Sequence, residues 1–211
     1  MNFGADEAGK GPVLGSMFVA AVRAEPTELP DDVGDSKSIA SAKRQALAAA
    51  IREQAAATEV VEIPVERIDD PETDMNGLTV AGHAEAVSAV AEAGGAGYVD
   101  ACDTNAVRFE RRVGKQIDYE LDLRAEHGAD ESYRIVGAAS ILAKVARERH
   151  VDELAADYGE VGSGYPSDPT TRTFLESFVE EHGRLPACAR RSWQTSQDVL
   201  NAVDQSSLTD F

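Results

Sequence analysis

The opening run of the chain constrains its fold most, because a short apolar strand ends in two adjacent acids and passes directly into a glycine turn. The run is Phe3-Gly4-Ala5-Asp6-Glu7-Ala8-Gly9-Lys10-Gly11-Pro12. A second apolar stretch at 13–24 follows and predicts a hairpin-like pair of strands. Paired acids bind hard divalent cations through oxygen. Gly9 and Gly11 let backbone N–H groups approach a polyanion, and Lys10 adds positive charge. The run therefore predicts a metal-dependent phosphate site.

A nucleotide-binding P-loop is the alternative for the same run, since residues 4–10 fit G-x-x-x-x-G-K. Gly11, however, stands where a Ser or Thr hydroxyl must bind magnesium. Asp6 and Glu7 would also repel a triphosphate, and the residues that follow predict a strand where a P-loop needs a helix. A P-loop nucleotide hydrolase is therefore a minor alternative.

Length and cysteine usage set broad limits on the class of protein. The 211 residues suffice for one well-cored domain with an appendage, or for two small domains. No stretch approaches the ~20 apolar residues of a membrane span, and no export signal is visible at the N-terminus. With only Cys102 and Cys188, the chain does not depend on disulfides. We expect a cytoplasmic monomer.

The net charge of -18, from 38 Asp and Glu against 20 Lys and Arg, at first argues against a nucleic-acid ligand. Only five of these cations are lysines, and Ala, Asp and Glu dominate the predicted helices, a pattern that resembles proteins of salt-loving organisms. In molar salt the Debye length falls to ~3 Å. An acidic surface would then repel DNA only at direct contact, and phosphate contacts would have to be short and directional.

Apolar patterns of strand and helix alternate along the chain and predict an α/β fold, a mixed β-sheet flanked by helices. The predicted strands are 2–7, 13–24, 58–66, 97–101 and 118–125. The predicted helices are 41–56, 78–93, most of 133–147, 172–182 and 192–203. The helix within 133–147 has an apolar face of Ile141, Leu142, Val145 and Ala146. Ser140, Lys144 and Arg147 share the opposite face and suggest a phosphate clamp, with a solvated helix face as the alternative.

Four motifs occur in order along the chain. They are the opening run with Asp35-Ser36-Lys37; Tyr98-Val99-Asp100-Ala101; His127-Gly128-Ala129-Asp130 with Ala138-Ala139-Ser140-Ile141-Leu142-Ala143-Lys144-Val145; and Gly162-Ser163-Gly164-Tyr165-Pro166-Ser167-Asp168-Pro169 with Arg191-Ser192-Trp193. Together they resemble the ribonuclease HII family in its archaeal form, over nearly the whole chain. The family turn usually has Arg in place of Lys10; we expect function to survive because the turn acts largely through backbone amides.

The resemblance implies an RNase H-like catalytic domain at 1–155 and a helical C-terminal region at 156–204 that covers the substrate. It implies an endonuclease that cuts the RNA strand of RNA/DNA hybrids, and duplex DNA 5′ of embedded ribonucleotides, with two Mg²⁺ or Mn²⁺ ions, leaving 3′-hydroxyl and 5′-phosphate ends. The implied catalytic and metal-binding residues are Asp6, Glu7, Asp100 and Asp130. The residues support this independently, because clustered carboxylates repel one another and divalent cations relieve that cost.

The resemblance also implies substrate-binding residues, which are Gly9, Lys10, Gly11, Lys37, Ser140, Lys144, Arg147 and Tyr165. The glycine turn can hydrogen-bond a 2′-hydroxyl, and a tyrosine can stack on the adjoining deoxynucleotide. The alternative for Tyr165 is an aromatic ring that packs against its own loop. Asp168 precedes a proline and a helical run and is predicted to be an N-cap. His83, His150 and His182 lack ligand spacing, and no zinc site is expected.

The last residues, 205–211, resemble a sliding-clamp-binding peptide. Gln205 would fill a polar pocket, and Leu208 and Phe211 an apolar cleft. An untethered polar tail is the alternative. A catalytically weak, replication-associated module that binds nucleic acid or the clamp remains the alternative function for the chain as a whole.

Overall fold

The computed structural model describes residues 1–35 and 40–209, and the chain divides into two compact units. Unit 1 comprises Met1–Ala8, Met17–Ile63 and Asp74–Arg147. Unit 2 comprises Gly9–Ser16, Pro64–Thr73 and the residues from Glu148 onward. The division predicted from the sequence, at residue 155, stays a prediction.

Unit 1 contains a five-stranded mixed sheet, in the order β3-β2-β1-β4-β5. The strands are β1 (Asn2–Ala8), β2 (Met17–Ala24), β3 (Ala57–Ile63), β4 (Ala96–Asp100) and β5 (Asp122–Glu126). β1 pairs antiparallel with β2 and parallel with β4, and β4 pairs parallel with β5. The predicted mixed sheet flanked by helices is therefore confirmed.

Eight α-helices lie in the described ranges. They are α1 (Ser41–Gln54), α2 (Val65–Ile68), α3 (Met75–Val90), α4 (Ala106–Gly114), α5 (Ala129–Ser132), α6 (Arg134–Tyr158), α7 (Pro169–His182) and α8 (Gln194–Thr209). Side chains start several of them: the Asp74 carboxylate accepts the Gly77 N–H at α3, and Asp168 accepts the Thr170 N–H at α7. The predicted N-cap role of Asp168 is confirmed. No described helix has the length and apolar character needed to cross a bilayer.

Two helices cover opposite faces of the sheet in unit 1. The buried residues Ala20, Val22 and Ala24 of β2 belong to one cluster with α6. On the other face, a Cβ added at Gly82 of α3 would lie 2.7 Å from Val19 Cγ2. Because side chains alternate along a strand, even-numbered residues of β2 face α6 and odd-numbered ones face α3.

Gly4 allows α6 to lie directly against β1. A Cβ at this position would lie 2.6 Å from the Ile135 backbone carbon, closer than real Cβ atoms approach backbone, so glycine is required for this contact. The predicted polar face of α6 is not solvated: Ser140 and Arg147 are buried, and Lys144 is half-buried. The helix is buried on both sides because it packs on the sheet with one face and receives the segment around Val33 on another.

Unit 2 has an apolar core of its own. Its buried residues are Val13, Leu14, Leu154, Val161, Leu175, Val179, Leu185, Cys188, Ala189 and Val199. The strand predicted at 13–24 begins only at Met17, because the N–H groups of Val13 and Leu14 donate to the carbonyl of Gly164 in unit 2. The glycine turn and the loop that carries Tyr165 are thereby joined within one unit.

Candidate carboxylate site and glycine turn

The two acids of the opening run point to opposite faces of β1. Asp6 lies opposite Ala20 in β2, and Glu7 lies opposite Val19. Since Ala20 faces α6 and Val19 faces α3, the two carboxyls have different surroundings. Asp6 lies near Ser140 of α6, whereas Glu7 Oε2 lies 3.6 Å from His83 Nε2 of α3.

Asp6, Asp100 and Asp130 come together at the carboxyl ends of β1 and β4. These strands are parallel and place Ala5 opposite Val99, so Asp6 and Asp100 directly follow paired residues. Asp100 Oδ1 accepts the Ala129 N–H at 2.8 Å, which fixes the start of α5. Asp130 is the next residue of α5 and is buried. Residues from three separated places in the sequence thus share one site in unit 1.

The electrostatics of this site disfavour negative charge. Burial is the main cause that raises the pKa of Asp6, from 3.8 to about 7, and the neighbouring Asp100 and Asp130 raise it further. The Ser140 side chain and the Glu7 N–H act in the opposite direction. Burial also raises the pKa of Asp100, against the Ala129 N–H, and Asp130 adds to the rise. The site is therefore charged only at a cost, which a bound cation would relieve.

The donor set suits a hard divalent cation, because the three aspartates offer only carboxylate oxygens. The three aspartates are not closely gathered. Among the described residues, only Glu7, His83 and Cys102 place three potential ligand atoms within 4.8 Å of one another. At least one pair among the three aspartates therefore has its potential ligand atoms more than 4.8 Å apart. These residues fit Mg²⁺ or Mn²⁺ by chemistry.

The sequence alone did not predict a metal-binding or catalytic role for His83 or Cys102. His83 was predicted to lack ligand spacing along the chain, yet the packing of α3 on β1 brings Glu7 to it. Asp103, three residues beyond Asp100, is engaged elsewhere. It forms an ion pair with Arg108, which holds the pKa of Asp103 at about 2.

Arg190 organises the glycine turn in unit 2. Its buried guanidinium donates Nη2–H to the carbonyl of Gly9 at 2.6 Å, Nη1–H to Lys10 at 3.0 Å, and Nε–H to Gly15 at 2.8 Å. It also lies 4.8 Å from the centre of the Trp193 ring. Sequence reasoning singled out the neighbouring Arg191 and missed Arg190, because its partners lie 175 or more residues away in the chain.

Tyr165 lies beside this turn within unit 2. A Cβ at Gly11 would be 3.5 Å from Tyr165 Cε1, and 45% of the tyrosine is exposed. Its loop is held by the Asp168 carboxylate, which accepts the Ser163 N–H at 2.6 Å, and by Thr171 Oγ1, which accepts the Gly164 N–H. The ring is thus an exposed apolar surface on a fixed loop.

The other predicted site residues are divided between the two units or lie outside the described residues. Lys10 belongs to the turn in unit 2, and Lys144 lies on α6 in unit 1. Lys37 and Phe211 lie outside the described residues. Gln205 and Leu208 fall within α8, for which only the backbone is described there.

Comparison with known proteins identifies relatives over the full chain. A family model described as Ribonuclease HII matches residues 3–196. A protein named Ribonuclease HII from Haloarcula marismortui is 65% identical and aligns over all of both chains. The crystal structure of the ribonuclease H2 from Pyrococcus horikoshii OT3 superposes with a TM-score of 0.90 at 33% identity, covering 96% of this chain and 98% of that one. A PCNA:RNase HII complex from Archaeoglobus fulgidus gives 0.86 at 36% identity, with full coverage of both chains.

The raised pKa of Asp6 predicts a stability change in the variant Asp6→Asn without metal. Folding favours the protonated carboxyl, so the stability that the neutral form contributes is complete below pH 3.8 and is lost as the pH rises through about 7. Above that pH, the free energy of unfolding of Asp6→Asn should exceed that of the wild type by about 2–4 kcal/mol. Denaturant titrations in molar salt with chelator measure this.

The control for this titration is Asp122→Asn, at a side chain that is 66% exposed. It should leave the free energy of unfolding unchanged at every pH. If the gain in free energy of unfolding of Asp6→Asn over the wild type increased toward low pH, the raised pKa of Asp6 would be contradicted.

Proposed function

Because this chain belongs to the ribonuclease HII family, we propose that it is an endonuclease for RNA joined or paired to DNA. It hydrolyses the RNA strand of RNA/DNA hybrids and cuts duplex DNA on the 5′ side of an embedded ribonucleotide. The observation that carries this proposal is the meeting of Asp6, Asp100 and Asp130 from two parallel strand ends and α5. Such a group serves phosphodiester hydrolysis by metal ions.

Asp6, Asp100 and Asp130 would hold Mg²⁺ or Mn²⁺, and Glu7 would join them once its carboxylate turns away from His83. Two such ions, when bound, would supply water activation and stabilisation of the leaving 3′ oxygen, and the expected products are a 3′-hydroxyl and a 5′-phosphate. The chain itself orients the oxygens: the Ala129 N–H holds Asp100, and Ser140 favours the charged form of Asp6. With a pKa of about 7, Asp6 is partly protonated at neutral pH, and metal binding competes with that proton.

Recognition of the ribonucleotide is assigned to the turn of Gly9, Lys10 and Gly11 together with Tyr165. Arg190 holds two carbonyl groups of the turn, and Trp193 Nε1–H donates to the third, that of Gly11, at 3.2 Å. A backbone fixed in this way, without side chains at its glycines, can hydrogen-bond a 2′-hydroxyl at short range. The exposed ring of Tyr165 can stack on the deoxynucleotide that follows.

Phosphate contacts are assigned to Lys37 and Lys144, with Ser140 and Arg147 in support on α6. Lys144 is half-buried and lies one helical turn beyond Ser140, the residue that approaches Asp6. Burial favours short, directional contacts, which remain effective in high salt, where long-range attraction is screened.

Cleavage tests the proposed function most simply. The wild type should cut a DNA duplex with one ribonucleotide, and a full hybrid, when Mg²⁺ or Mn²⁺ is added at the salt concentration the protein requires. Asp6→Asn, Asp100→Asn and Asp130→Asn should each lower the rate by at least ~10²-fold, because each removes charge that the cations need.

Asp122→Asn, at an exposed carboxylate, is the matched control and should retain the wild-type rate. Folded wild-type protein that cuts neither substrate with either metal would favour a binding module without nuclease activity. Wild-type rates in any two of the three variants would remove those aspartates from the metal site.

The variant Tyr165→Ala tests junction recognition. Loss of one stacked base costs ~1–3 kcal/mol, so cleavage at a single embedded ribonucleotide should fall about 5- to 150-fold while Mn²⁺ binding stays unchanged. Tyr165→Phe keeps the ring and should retain most activity. If Tyr165→Ala cleaves the junction substrate as the wild type does, the ring serves only its own loop.

A sliding clamp is the proposed protein partner, bound through Gln205, Leu208 and Phe211. Support comes from the order of these residue types in the sequence and from the related ribonuclease HII of Archaeoglobus fulgidus, whose solved structure is a complex with PCNA. Tethering to a ring on DNA would raise the local concentration of the enzyme near newly incorporated ribonucleotides.

Removal of residues 205–211 should abolish binding to the clamp of the same organism while short duplexes are still cut. Because α8 extends to Thr209, the point variant Phe211→Ala provides a milder test and should weaken binding by at least about 10-fold. Ser206→Ala, at a position outside the binding pattern, serves as control. Equal clamp affinity of wild type and Phe211→Ala, titrated at native salt, would refute the assignment.

A further inference from the structure

A group of mixed metal-ligand side chains lies against the face of β1 that carries Glu7. One donor atom from each of Glu7, His83 and Cys102 lies within 4.8 Å of the other two. Magnesium and manganese prefer oxygen ligands. Carboxylate, imidazole and thiolate together form instead the kind of donor set that zinc takes in proteins.

His83 is held in an orientation suited to metal binding. Its ring is fully buried, and Phe109 packs edge-on against it with the ring centres 5.1 Å apart. His83 Nδ1 lies 2.9 Å from the Thr79 carbonyl oxygen. A carbonyl can only accept, so Nδ1 carries the proton, and in the neutral ring Nε2 presents its lone pair on the side of Glu7. Metal-bound histidines ordinarily donate the other ring N–H in this way.

The distances are close to those of a tetrahedral site. With metal–ligand bonds of about 2.0–2.3 Å, tetrahedral ligand atoms lie about 3.3–3.8 Å apart. Glu7 Oε2 and His83 Nε2, at 3.6 Å, already match. The Cys102 sulfur lies within 4.8 Å of a carboxylate oxygen of Glu7 and of a ring nitrogen of His83. It needs to approach by about 1 Å to reach tetrahedral spacing, and Cys102 lies in the loop between β4 and α4, where a change of side-chain rotamer can move the sulfur.

An ion pair between Glu7 and protonated His83 would account for the position of the histidine beside the carboxylate without any metal. It does not involve the thiol, however, and so Cys102 separates the two explanations. Both cysteines are thiols outside any disulfide. Cys102 lies two residues beyond Asp100, whereas Cys188 is buried in the core of unit 2 and provides a matched control.

We propose that Glu7, His83 and Cys102 bind a thiophilic divalent cation of the zinc type, and that this ion withdraws the Glu7 carboxylate from the catalytic cations. Coordination removes the thiol proton, which passes to solvent. Binding of this ion would inhibit cleavage, because Glu7 cannot hold the zinc-type ion and the catalytic cations at once. This inhibitory effect rests on the proposed nuclease function. The binding of the ion does not rest on it.

Cadmium titration tests the binding directly, because a thiolate bound to Cd²⁺ gives ultraviolet charge-transfer absorption. The full-length wild type and Cys188→Ser should show this absorption and saturate at one ion per chain. Cys102→Ser should lose it, and Cys102→Ser and His83→Gln should each bind Cd²⁺ at least about 10-fold more weakly, since loss of supporting contacts alone costs about 10- to 100-fold. No absorption in the wild type, or undiminished absorption in Cys102→Ser, overturns the site, even where His83→Gln fails to fold.

Zinc inhibition tests the consequence for catalysis. With Mg²⁺ in excess, Cys102→Ser should cleave at the wild-type rate in the absence of zinc and require at least about 10-fold more Zn²⁺ for half inhibition. Equal sensitivity of the two proteins would mean that zinc acts at the aspartates, and would overturn the inhibitory role. If the wild type shows no cleavage with Mg²⁺, the proposed nuclease function fails, while the cadmium titration still decides the site.

Discussion

The burial of the Asp6 carboxyl beside Asp100 and Asp130 is the interaction on which the account of unit 1 depends. It results from the packing of α6 directly on β1, which Gly4 permits because a Cβ there would lie 2.6 Å from the Ile135 backbone. The same contact that buries the apolar face of the sheet thereby removes water from Asp6 and raises its pKa to about 7. Apolar burial stabilises unit 1, and part of that free energy offsets the cost of burying the Asp6 carboxyl.

The alternation of side chains along β1 gives its two acids different chemistry. Asp6 points toward α6 and joins the other aspartates, whereas Glu7 points toward α3 and meets His83. A pair of adjacent acids in the sequence is thus divided between an all-oxygen group and a group with nitrogen and sulfur. Hard cations favour the first and thiophilic cations the second, and Glu7 is the residue through which one group can influence the other.

The sequence predicted those features that depend on local pattern. The five strands and the longer helices α1, α3, α6, α7 and α8 were recognised by their patterns, whereas the shorter α2, α4 and α5 were not. Asp168 was recognised by its place before Pro169, and Asp6 and Asp100 by their places at strand ends, which parallel pairing brings together. Contacts between distant residues left no such signal. Arg190 holds carbonyl groups that are 175 or more residues away, and His83 meets Glu7 only because α3 packs on β1. Ser140 and Arg147 were placed on an open helix face, since periodicity cannot reveal that α6 is covered on two sides.

The most direct test of the carboxylate site is the anomalous diffraction of Mn²⁺ in crystals of the protein. Our expectation is density for Mn²⁺ among the carboxylate oxygens of Asp6, Asp100 and Asp130, and its loss in crystals of Asp100→Asn. Manganese density elsewhere in well-ordered crystals, with none at these three aspartates, would contradict it.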